Sequence, residues 1–265
     1  MNTFGIVKKA VTLPFRAYKG FILVTFLFFL SEIVTDAFNM VSVEDLTFVY
    51  MFIPPVFNVV ILGLSIGIVY HYIDDSFDIR EVSLKTTTKA GFKDLFIESY
   101  YYSLTVIFTA VISYAFGIYH NIYSLIDGLD YLGTKVENLT LPGLIALLTP
   151  DRYNELAFSV VATLAIFAIL FSIFLSYCSL GKIRLKETGK MGEALSIIKL
   201  TRIINQNGIR KYLNLVILTS IISGAVLLLM KTLQSYVFTG SLISALTEAF
   251  ALFFILDSFS LYYYS

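Results

Sequence analysis

Residues 156–180 read LAFSVVATLAIFAILFSIFLSYCSL, an apolar run without one charged side chain. A helix needs about 20 such residues to cross the hydrocarbon core, where every backbone N–H and C=O must be bonded within the segment itself. Five further stretches meet the same condition: 21–40, 56–73 behind Pro54-Pro55, 95–119, 212–230 and 236–262. The predicted fold is all-α, a polytopic membrane protein with a six-transmembrane-helix bundle. The chain 1–265 is then a single integral membrane domain.

Composition leads to the same place. Hydrophobic residues make up 57% and charged residues 14%, against about 25% charged in soluble domains. That is too little charge to cover a water-facing surface. The net charge of zero leaves no electrostatic footprint for nucleic acid. Cys178 is the sole cysteine, so no intramolecular disulfide can form. Lys8, Lys9, Arg16 and Lys19 precede the first apolar run, but no small-residue cleavage site follows it. It reads as a retained span rather than a signal peptide.

Orientation follows from the placement of Lys and Arg. With the N-terminus inside, sixteen of the 19 basic residues fall in inner segments, and only Lys135, Arg152 and Lys231 fall outside. Both termini are expected in the cytoplasm. Tyrosines at span ends, among them Tyr70, Tyr101, Tyr212 and Tyr262, stand in for an interfacial belt in a chain that lacks Trp. Two stretches mix apolar and basic residues: 3–19, broken by Pro14, and 191–211. Both read as amphipathic helices in the headgroup region, the first an N-terminal interfacial helix, with their basic faces toward anionic lipid. An outer loop is expected near 120–155 and a basic inner loop near 182–211.

Few motifs survive close reading. Gly63-Leu64-Ser65-Ile66-Gly67 matches Gly-x-Ser-x-Gly, but it lies inside an apolar helix rather than on a strand-to-helix turn. Its nearest base, His71, is about 9 Å further along the same helix, and His120 falls at the outer end of the third span. Gly63 and Gly67 instead suit close approach of helix backbones. Small residues four apart recur at Thr109, Ser113 and Gly117, at Ala168, Ser172 and Ser176, at Ser220 and Gly224, and at Gly240 and Ser244. They are expected to mark helix contacts in a tightly packed bundle. The two histidines cannot share an ion, so no metal site or cofactor is expected. Asn138-Leu139-Thr140 is a glycosylation sequon in the predicted outer loop.

Acidic residues inside spans carry the most weight. Glu32 and Asp36 share a face in the outer half of the first span, Glu248 falls at the middle of the sixth, and Asp257 lies nearer its inner end. A central ionised carboxylate costs about 2.5–3.5 kcal/mol on insertion scales. No Lys or Arg lies at the depth of Glu248, which is expected to face other helices. These four are the candidates for proton relay or cation coordination. The plainer reading is a hydrogen bond from Glu248 to a neighbouring Ser or Thr.

Several short stretches share a further likeness: Gly67-Ile-Val-Tyr70, Lys89-Ala-Gly91-Phe-Lys93-Asp94-Leu95-Phe96, Glu193-Ala194-Leu-Ser-Ile197, Asn207-Gly208-Ile-Arg210-Lys211-Tyr212 and Phe259-Ser-Leu-Tyr262. In these the chain resembles a family of membrane proteins common in methanogenic archaea, the domain of unknown function 4013. That family often has an Arg a turn after its Gly-Tyr and a Leu-Pro before the cytoplasmic Gly; here stand His71 and Asp74, with no Pro in 74–94. The resemblance implies a multi-pass membrane protein and no particular activity.

Two function classes follow. With no catalytic constellation in view, the first is a non-enzymatic component of the cell membrane, its partners lipid and a second copy or other membrane proteins. The alternative is a small transporter or permease using the intramembrane acids. A polar cavity joining Glu32 to Glu248 would favour transport, and a fully packed interior the structural class.

Overall fold

The computed structural model describes residues 2–40, 47–74, 84–118, 150–234 and 240–265. Of these, 94% are helical and none is in a strand. The helices are α1 (Thr3–Arg16), α2 (Tyr18–Met40), α3 (Thr47–Asp74), α4 (Leu84–Ala115), α5 (Pro150–Thr188), α6 (Met191–Ala194), α7 (Ile197–Asn207), α8 (Ile209–Gln234) and α9 (Gly240–Tyr263). Six of them, α2, α3, α4, α5, α8 and α9, are long and apolar enough to cross a membrane. The protein is a multi-pass, all-α membrane protein. Asn138, His120 and the expected outer loop lie outside the described residues.

The helices overrun several predicted limits. α3 starts at Thr47 and carries Pro54 and Pro55 within it, rather than beginning behind them. α4 ends at Ala115, short of residue 119, because Gly117 turns the chain at φ 69°. That is a left-handed conformation which glycine adopts without a Cβ clash. α5 runs on to Thr188, through much of the stretch expected to be a basic loop, and Gly189 (φ 69°) ends it. The extension is held because the basic side chains on it find partners: Lys182 bonds acids of α4, Arg184 bonds Glu187 and Glu193, and the Lys186 ammonium sits 4.3 Å from the centre of the Tyr70 ring.

α1 is capped by Asn2, whose side chain accepts from the Gly5 N–H at 2.8 Å, and it continues through Pro14 to Arg16. Proline near the last turn forfeits one backbone bond, and the bend falls instead at Ala17. The second amphipathic stretch is divided. α6 ends before Ser196, which caps α7, and Gly208 (φ 96°) separates α7 from α8.

Two compact units emerge, residues 1–99 with 176–265, and residues 100–175. In the first, α9 is the central element and packs along α2, α1, α8 and α3. Its core joins Leu13 and Ala17, Val24 of α2, Ile68 and Val69 of α3, and Ala249, Phe253 and Leu256 of α9. Phe21 meets Phe253 edge to face at 5.9 Å. Two glycines permit close approach: a Cβ on Gly20 would overlap the Tyr72 ring, and one on Gly91 would overlap the backbone carbonyl of Val59. Gly63 and Gly67 are both buried on α3.

The second unit contains α4 from Tyr100 onward and α5 up to Leu175. Tyr102 stacks on Phe171 at 5.7 Å, Phe171 on Phe167 at 5.8 Å, and Phe108 lies 5.6 Å from Phe174. Thr105 and Thr109 are buried and return their hydroxyl protons to carbonyls four residues back, at 3.1 and 2.8 Å. That satisfies them inside an apolar helix without an interhelical partner.

A cavity with two carboxylates

α2, α3 and α9 diverge at the end of the bundle remote from α1. Between them lies a cavity of about 640 Å³, lined by Phe28, Ser31, Glu32, Thr35, Asn58, Ile61, Leu62, Gly240, Ser241, Ser244 and Glu248. Its size falls within the range of small-molecule sites, roughly 300–1,000 Å³. Helical spacing explains the lining. Phe28, Ser31, Glu32 and Thr35 sit three or four apart along one face of α2, and Ser241, Ser244 and Glu248 do the same on α9.

Of the four sequence candidates, two converge and Asp257 does not join them. Glu32 and Glu248 share the cavity and lie within electrostatic reach of each other. Among the described residues, no Lys, Arg or His lines it. Glu248 is exposed to this space, and no hydrogen bond joins it to a Ser or Thr among the described residues. Asp257 lies toward the other end of α9, only 4% exposed, within electrostatic reach of Lys9 and Arg16 of α1. It belongs to a different part of the molecule. Asp36 is on α2, with its side chain outside the described residues.

Sequence reasoning missed the rest of the wall. Ser31 donates to the Asn58 side-chain oxygen, linking α2 to α3 across the cavity, while Thr35 donates to the Ser31 carbonyl at 2.9 Å. Asn58 is an amide in an otherwise apolar span, a visible signal that was passed over. Gly240 and Ser244, expected as a packing ladder, instead form part of the cavity wall. Gly224 has open space where its Cβ would be, so among the described residues no neighbour approaches closely there. Small residues at spacing four reveal a face but not what the face meets.

The opposite end of the same unit pairs its charges. The Lys182 ammonium donates to Asp94 and Glu98, both at 2.6 Å. Arg184 donates to Glu187 at 2.8 Å, to Glu193 at 3.1 Å and to the Tyr263 hydroxyl at 2.9 Å. Lys199 reaches Glu193 at 2.5 Å. These contacts hold the Glu193 carboxyl below the usual carboxylate range, the Lys199 hydrogen bond first and the Arg184 bond second. Asn207 donates to the carbonyls of Tyr262 and Tyr263 at 3.0 and 3.1 Å, satisfying the last turn of α9. Tyr262 is fully buried with its hydroxyl donating to the Ile204 carbonyl at 3.2 Å, and buried Tyr212 bonds Ser176. Both were expected at the lipid interface; both are polar anchors inside the protein.

Among the described residues, no three His, Cys, Asp or Glu side chains converge to hold a metal ion. No family model, no curated protein and no solved structure matches this chain.

Proposed function

We propose that this protein is a non-enzymatic membrane transporter or permease whose cavity between α2, α3 and α9 binds a small organic cation. One observation carries the reading: Glu32 and Glu248 face a shared cavity that no cationic side chain lines among the described residues. Two carboxylates without a counter-charge in a low-dielectric setting are costly unless a positive ligand or protons balance them. The wall is otherwise mixed, with Phe28, Ile61 and Leu62 offering apolar surface and Ser31, Asn58, Ser241 and Ser244 offering hydroxyls and an amide. That mixture suits an amine or quaternary ammonium with an apolar body.

The charge distribution supports an orientation with both termini in the cytoplasm, which places the cavity in the outer half of the bilayer. Exposed Phe4, Phe15 and Ile198 beside Lys8, Arg16, Lys199 and Arg202 support seating of α1 and α7 against anionic headgroups. Membership of the family resembled in sequence is a separate proposal and adds no activity.

Native mass spectrometry of the protein in mild detergent, offered choline and a short alkyl diamine, tests the reading. The parent retains a cation, and Glu248→Gln weakens retention at least tenfold, about 1.4 kcal/mol. Retention of neither cation by the parent, or equal retention by the variant, would refute it.

A further inference from the structure

Lys182 presents an imbalance that the cavity does not explain. Its ammonium is shared between Asp94 and Glu98 at equal distances of 2.6 Å, so two carboxylates face one cation. Both acids come from α4, four residues apart and on one helix face, where like charges repel. The Lys182 and Asp94 side chains are each 8% exposed, and that of Glu98 is 23% exposed. Both carboxyls touch the same ammonium, so they lie close to each other. Two carboxylates that share one site resist ionising together.

Among the described residues, no second Lys or Arg pairs with either acid. The Cys178 thiol lies one turn back from Lys182 on α5. The thiol is buried and carries no positive charge. Fully ionised, the group therefore holds a net charge of minus one inside the protein, where an unpaired charge is expensive. A single proton removes it.

We propose that Asp94, Glu98 and Lys182 form a buried proton-binding site that holds one exchangeable proton between the two carboxyls. Glu98, the more exposed acid, is the side through which the proton enters and leaves. The site is separate from the cavity of Glu32 and Glu248, and its assignment does not depend on what that cavity binds.

Infrared spectroscopy of the full-length protein in nanodiscs at neutral pH reads the proton directly, through the C=O stretch of a protonated carboxyl and its shift in heavy water. Glu98→Gln and Asp94→Asn should each remove the absorbance of one protonated carboxyl, because either leaves one carboxylate matched to Lys182. The double variant should remove no more than either alone. Lys182→Met should add one protonated carboxyl, since both acids then lose their cation. Unchanged absorbance in Glu98→Gln, or losses that add in the double variant, would overturn the proposal. Glu98→Gln alone decides the matter should the variants at the more buried positions fail to fold.

Discussion

The two ends of the α2–α3–α9 unit treat carboxylates in opposite ways. At the end bearing α1 and the chain terminus, Glu187, Glu193, Asp94 and Glu98 each touch a Lys or Arg within 3.1 Å. At the other end, Glu32 and Glu248 face a cavity with no cationic side chain on its wall among the described residues. The first arrangement ties helices together, since each pair joins separate elements or closes a turn. The second gives the fold nothing in return for the cost of placing an acid in a span. Acids that touch a cation and acids that face the cavity are thus separated along one bundle. Asp257 is buried at the paired end but touches no Lys or Arg among the described residues. Substitutions should tell the two sets apart.

The largest expected effect is at the paired end. Lys182→Met strips the cation from two buried acids and should cost about 3–5 kcal/mol, the penalty for breaking a buried pair from one side. Reversible unfolding in detergent measures it; a loss below about 1 kcal/mol would mean that the pair is solvated like a surface bridge. Next comes Gly91→Ala, where the new methyl overlaps the Val59 carbonyl and must push α4 from α3. Overpacking of this kind costs about 1–3 kcal/mol, read by the same unfolding curve.

At the cavity end the sign reverses. Glu248→Gln should leave stability within about 0.5 kcal/mol of the parent or raise it, while cation binding falls at least tenfold. A marked loss of stability would place Glu248 among the structural acids and dissolve the contrast. The smallest effect concerns pH. Glu193 binds a proton less readily in the folded protein than in the unfolded chain, so its contribution is fully present above the unfolded carboxyl value of about 4.3. It is lost as pH falls through the lower folded value. Glu193→Gln should flatten that limb of the thermal-stability profile, and an unaltered limb would show that its partners are screened.

The spans were legible because hydropathy acts locally: 156–180 and its five counterparts need no tertiary knowledge to be recognised. Their ends were less so. α5 continues past residue 180 because Lys182 finds Asp94 and Glu98 on a helix 84 or more residues away in sequence, a pairing no local rule supplies. Reading Lys182 as a loop charge hides its partner. The cavity was half legible. Glu32 and Glu248 stood out by their expense in a span, but Asn58, Ser241 and Gly240 joined them only once three helices had converged. Tyr212 and Tyr262 looked interfacial for the same reason: position along a helix does not say which way a hydroxyl points.

Uptake of a labelled organic cation into proteoliposomes tests the central claim most directly, comparing the parent with Glu32→Gln and Glu248→Gln. The account predicts saturable uptake by the parent that excess unlabelled cation competes away, and at least tenfold slower uptake by either variant. Uptake by the parent no faster than by protein-free vesicles, or uptake indifferent to both substitutions, would contradict it.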